Sequence, residues 1–79
     1  MNIREATEAM EKGWRVRLEN PTSVWHQPFV GYEGMIIESL KDNSFLLDGR
    51  KGKTKGSFLY VKPAELIIVR RKRSHGKAK

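Results

Sequence analysis

The chain of 79 residues contains no cysteine. No disulfide can staple it, and no thiolate is present to ligate zinc or act as a nucleophile. Histidine is nearly as scarce, with His26 and His75 the only two. A metal site takes three or four ligands, and His26 has no neighbouring histidine to share one. Nucleophilic catalysis needs a base and an orienting group within hydrogen-bond reach, and no such constellation or paired carboxylate stands out. Long apolar runs are missing as well. The longest aliphatic stretch, Leu66-Ile67-Ile68-Val69, has the length of a strand, whereas a bilayer span needs roughly 18 residues. The opening Met1-Asn2-Ile3-Arg4-Glu5 lacks an apolar h-region, so a cleaved leader is not expected. The expectation is a cytoplasmic, non-enzymatic monomer with no cofactor, no bound metal and no membrane partner.

What the chain has in excess is positive charge, in two places. The net charge is +7. Residues 70–79 hold six Lys or Arg and no acid, and Arg50, Lys51, Lys53 and Lys55 form a second cluster of four without an acid. The remainder carries six basic residues against nine acids, a balance of −3. A mildly acidic body with segregated basic blocks is the pattern of an interaction arm.

The first dozen residues predict a helix. Asn2 can cap it, with Glu5 three residues on as in a capping box. Ile3, Ala6 and Met10, widened by Ala9, form one apolar face, and Gly13 stands next as a C-terminal stop. Three turns are marginal alone, so the helix is expected to pack on the β domain C-terminal to it. From Trp14 the period becomes two: Trp14, Val16 and Leu18 alternate with Arg15, Arg17 and Glu19. A loop through Asn20-Pro21-Thr22-Ser23 continues to about Pro28. Further strands are expected over about Val30 to Leu40, Phe45 to Asp48, Ser57 to Val61 and Leu66 to Val69. Lys41-Asp42-Asn43-Ser44 and Asp48-Gly49 read as turns, and Pro63-Ala64-Glu65 as a single helical turn. Trp14, Phe45, Phe58 and Tyr60 fall inside strands and read mainly as core.

Five short strands in about 57 residues are too few for two packed sheets. A small closed barrel, which also removes edge strands, is the better solution. The order of parts, with a long first loop (19–29), tight hairpins at 41–44 and 49–56 and a one-turn helix at 63–65, resembles a Src-homology-3-like (SH3-like) barrel. The fold expected is therefore mainly β. It has a short N-terminal α-helix (1–13), a five-stranded SH3-like barrel with its one-turn helix (14–70) and a disordered basic C-terminal tail (71–79). Val16-Arg17-Leu18 and Gly31-Tyr32-Glu33-Gly34-Met35-Ile36-Ile37 are similar to the KOW-like barrels of transcription elongation factors and ribosomal proteins, with an insert at residues 20–30. Val16-Arg17-Leu18-Glu19-Asn20-Pro21, Gly31-Tyr32-Glu33-Gly34 and Glu65-Leu66 also resemble the small barrel subunit S of NAD(P)H–plastoquinone oxidoreductase. The N-terminal helix and basic tail lie outside that pattern.

Gly52-Lys53-Thr54 looks like the end of a phosphate-binding P-loop. The motif demands a glycine where Leu47 stands and a helix where a strand is expected, so a basic hairpin tip is the reading kept. The tail, beginning Arg70-Arg71-Lys72-Arg73, repels itself and has nothing apolar to bury. It either neutralises phosphates or only solubilises. Five duplex phosphate contacts would give a log–log salt slope of about −4.5. Arg50, Lys51, Lys53 and Lys55 would extend that path, and Arg15 and Arg17 on the outer face of the first strand extend it further. Trp25, Phe29 and Tyr32 cluster around the long loop, where they stack on bases or dock a protein, unless Trp25 or Phe29 folds back as a lid on the core. Two functions are expected from this pattern. One is a nucleic-acid-binding accessory domain of low sequence specificity, acting on DNA or RNA. The other is a protein-interaction module or small regulatory subunit of a larger complex.

Overall fold

The helix at the N-terminus is capped as its sequence requires. A computed structural model describes residues 1–71; the tail from Lys72 onward, including Lys72 and Arg73, lies outside the described residues. Helix α1 spans Ile3–Lys12. Asn2 Oδ1 accepts from the Glu5 backbone N–H at 2.8 Å, and Glu5 Oε1 accepts from the Asn2 N–H at 3.2 Å. Gly13 ends the helix in the left-handed region at φ 68°, where a side chain would be strained. Ala6 and Ala9 are fully buried, and this small-residue stripe lets α1 lie close against the sheet, mainly on its second strand.

The five strands are β1 (Arg15–Leu18), β2 (Glu33–Ser39), β3 (Phe45–Arg50), β4 (Ser57–Val61) and β5 (Leu66–Arg70). They form one antiparallel sheet in the order β4-β3-β2-β1-β5. The ladder is open, with β4 and β5 as its edges. Inward residues from all five strands nonetheless share one core with α1: Val16, Leu18, Ile36, Leu47, Phe45, Leu59, Val61 and Leu66. Each large apolar side chain removed from water in this way contributes about 1.5–3 kcal/mol before the chain-ordering entropy is set against it. Among the described residues, no helix is long and apolar enough to cross a membrane.

Several elements differ from the sequence expectation. The long loop contains a 3-10 helix, η1 (Val24–Phe29), capped by Ser23, whose hydroxyl accepts from the Trp25 N–H at 3.1 Å. Strand β2 starts three residues late. Gly31 has φ 95°, and Tyr32 N–H turns back to the Phe29 carbonyl at 3.0 Å, so Val30 to Tyr32 form a turn. Asp48-Gly49 is no turn: Gly49 pairs with Gly34 on one side and Ser57 on the other. Gly34 is required there, because a Cβ at that position would sit 1.9 Å from the Asp48 carbonyl oxygen. The reversal falls later, where the Thr54 N–H bonds the Lys51 carbonyl at 3.1 Å and Gly52 takes φ 60°. The expected one-turn helix is present as the 3-10 turn η2 (Pro63–Glu65).

Candidate functional site

The two faces of the sheet differ in chemistry because side chains alternate along each strand. The inner face is the core. The outer face carries Arg15 and Arg17 from β1, Glu33 and Met35 from β2, Leu46, Asp48 and Arg50 from β3, and Phe58 and Tyr60 from β4. Cross-strand register sets their rows. Arg50 lies opposite Glu33, and Glu33 opposite Arg17; Asp48 lies beside Phe58, and Leu46 beside Tyr60. A shallow depression lined by Arg15, Glu33, Met35, Asp48 and Arg50 runs between the basic end and the aromatic strand.

Arg15 and Arg17 are not free cations. Arg15 Nε donates to Glu33 Oε2 at 2.6 Å; Arg17 donates from Nη1 to Glu33 Oε1 at 3.2 Å and from Nε to Glu19 Oε2 at 2.6 Å. The Arg15 hydrogen bond is the main cause that holds the Glu33 carboxyl below the usual carboxylate range, with Arg17 adding to it and partial burial opposing. Two cations thus face two anions, and the cluster is locally neutral. The hairpin is different. Among the described residues, none of Arg50, Lys51, Lys53 and Lys55 is in an ion pair. The hairpin extends beyond the end of the sheet, and the Lys51 side chain lies back over Gly31.

The basic strand end does not meet the hairpin. Antiparallel pairing places Arg70 beside Arg15, two residues along β1 from the Arg17–Glu33–Arg50 row and three strands across from β3. Arg71 turns toward α1, its guanidinium 4.9 Å from the centroid of Trp14, while Lys12 Nζ lies at 5.4 Å. These cation–π contacts hold the start of the tail at the helix side of the domain.

The aromatic residues divide in a way the sequence did not show. Trp25 is 81% exposed. Phe29 and Tyr32 are half-buried against the core, edge to face at 5.2 Å, and they form the lid. Trp14 and Phe45 are core, as expected, but Phe58 is 64% and Tyr60 62% exposed. Register decides this: Leu59 pairs with Leu47 and Val61 with Phe45, so the inward places on β4 are taken and both aromatic rings face out. No protein-family model, curated protein or solved structure matches the chain.

Sequence reasoning also missed Glu65. Its side chain is fully buried. Oε1 accepts from the Lys62 N–H at 2.8 Å, and Oε2 accepts from the Thr22 N–H at 2.8 Å and from His26 Nδ1 at 2.7 Å. That contact requires the His26 proton on Nδ1 and ties His26 into the base of the long loop. Burial pushes the Glu65 carboxyl up, but the His26 and two backbone hydrogen bonds outweigh it and leave it below the usual range. Only its bond to the Lys62 N–H is local, three residues away; Thr22 and His26 are 43 and 39 residues away in the chain, so the sequence does not mark its burial.

Proposed function

We propose that this chain is a non-enzymatic nucleic-acid-binding accessory domain of low sequence specificity. The observation that carries the reading is the β3–β4 hairpin: four cations in six residues, without an ion-pair partner among the described residues. Such a group gains most from meeting phosphates, because little favourable pairing must be broken first. Arg50, Lys51, Lys53 and Lys55 make the phosphate contacts, with Arg70 and the tail as a second contact reached around the β1–β5 side. Arg15 and Arg17 contribute less while Glu33 and Glu19 hold them. Phosphate contacts position a protein without reading bases, hence the low specificity. The scaffold in this proposal is an SH3-like barrel of KOW-like type. Its support is the strand order, the 3-10 turn before the last strand and the shared core of all five strands.

Fluorescence anisotropy of the full chain with labelled single- and double-stranded DNA and RNA, at 50 and 200 mM salt, tests the reading. Replacing Arg50, Lys51, Lys53 and Lys55 together by Gln should make the log–log salt slope shallower by about 3, at roughly 0.7–0.9 per phosphate contact. No binding at 50 mM salt, or an unchanged slope, refutes it. One observation favours a second reading, a protein-interaction module or small subunit. Val24 and Trp25 stand side by side in η1, both largely exposed. A partner seated there would resist salt and lose most of its affinity on Trp25→Ala.

A further inference from the structure

From the outer face of β4 we infer a base-stacking platform for single-stranded nucleic acid, formed by Phe58 and Tyr60. The inference rests on the nucleic-acid reading above and narrows it to one strand type and one surface. A lone exposed apolar residue needs no explanation, but two aromatic rings on one strand of an open sheet are a different matter. Neither ring is required by the core, whose places on β4 are filled by Leu59 and Val61. The rings sit at i and i+2, about 6.4–6.8 Å apart along the strand. That is about twice the ~3.4 Å rise between bases in a duplex, so two successive bases of an unstacked, stretched strand can lie one on each ring.

The charge around the rings fits that occupant. The hairpin that carries Arg50, Lys51, Lys53 and Lys55 leads directly into Ser57 and Phe58, so a backbone following the hairpin delivers its bases onto β4. Asp48, beside Phe58 on β3, repels phosphate and keeps the backbone to the hairpin side. Paired bases in a duplex hide their faces, so only a single strand can use the rings.

The test uses the full chain and three fluorescein-labelled probes of about 12 nucleotides, within the span of known single-strand sites. They are an oligothymidylate, an abasic strand of equal charge, and a duplex. The wild type should bind the oligothymidylate more tightly than the abasic strand, a comparison that needs no variant. Phe58→Ala and Tyr60→Ala should each weaken oligothymidylate binding about tenfold or more, leaving the abasic strand and duplex within about twofold. Tyr60→Phe should retain binding. Circular dichroism melts check that the variants keep the fold. If the wild type binds all three probes equally and the alanine variants change nothing, the platform is overturned while the nucleic-acid reading stands. If no probe binds, both are overturned. If the wild type sediments as a dimer that Phe58→Ala dissociates, the β4 face joins two copies of the chain and the platform is again overturned.

Discussion

Glu65 lies at the point where the long loop, the 3-10 turn and the last strand meet, and its replacement tests how the domain is held together. Three donors converge on the carboxylate: the Lys62 and Thr22 N–H groups and His26 Nδ1. The Glu65 carbonyl additionally accepts from the Glu19 and Asn20 N–H groups at 2.9 and 3.1 Å, and no side-chain change removes those bonds. Glu65→Ala orphans all three donors and opens a cavity. A buried donor left unsatisfied costs about 1–3 kcal/mol, and solvent can reach part of the loop, so a total of about 3–5 kcal/mol is expected. For a domain of this size each kcal/mol moves the melting temperature by about 4–8 °C, which places the loss at about 12 °C or more. Glu65→Gln is the sharper probe. An amide has one acceptor oxygen, so if that oxygen serves Thr22 and His26, its NH2 group opposes the Lys62 N–H. The expected loss is about 1–3 kcal/mol. The pH dependence gives an independent check. The folded carboxyl lies below its usual range, so its contribution is complete above the unfolded-state pKa and is lost as pH falls through the folded one. The gap between wild type and Glu65→Gln should therefore be full at neutral pH and close in acid. Thermal melts followed by circular dichroism across that range are the assay. Melting of Glu65→Ala within about 3 °C of wild type at neutral pH, or a gap that widens in acid, would refute the reasoning.

Two further outcomes are expected from the outer face of the sheet and its pairing. Glu33→Gln releases Arg15, while Arg17 keeps its bond to Glu19, so nucleic-acid affinity at low salt should rise and the salt slope steepen by about 1, read by anisotropy. An unchanged slope would mean that Arg15 does not reach phosphate. Gly34→Ala drives a methyl group into the Asp48 carbonyl oxygen, 1.9 Å from the ideal Cβ position. Urea denaturation should show a loss of about 1–3 kcal/mol or more, since β2 and β3 must separate locally to admit it.

Much of the local structure was legible because its causes lie within a few residues. The capping box of Asn2 and Glu5, the stop at Gly13 and the alternation through Arg15–Leu18 each depend on neighbours at most four positions away. The basic hairpin was legible for the same reason, as a run of charge between two strands. Asp48-Gly49 misled because a turn dipeptide was judged by its own preference. Pairing with Gly34 and Ser57 holds Gly49 in a strand, and the close approach of β2 and β3 requires glycine at 34, not at 49.

The candidate surface itself was not legible. Ser57-Phe58-Leu59-Tyr60-Val61 is apolar on both alternating faces, so its period cannot say which pair points inward. Pairing with β3 decides it, by setting Leu59 and Val61 against the buried Leu47 and Phe45. Similarly, the sequence left Trp25 and Phe29 equal as lids, and packing chose Phe29 with Tyr32. The ion pairs of Arg15 and Arg17 with Glu33 and the burial of Glu65 depend on partners 16 to 43 residues away. By itself, then, the sequence determined the N-terminal helix, the number and order of the strands and where charge is concentrated, because helix caps, strand period and charge runs are short-range properties. Only the tertiary structure decided which aromatic rings meet water, which arginines are neutralised and which carboxylate is buried, because each of those depends on the register between strands that chain proximity does not encode.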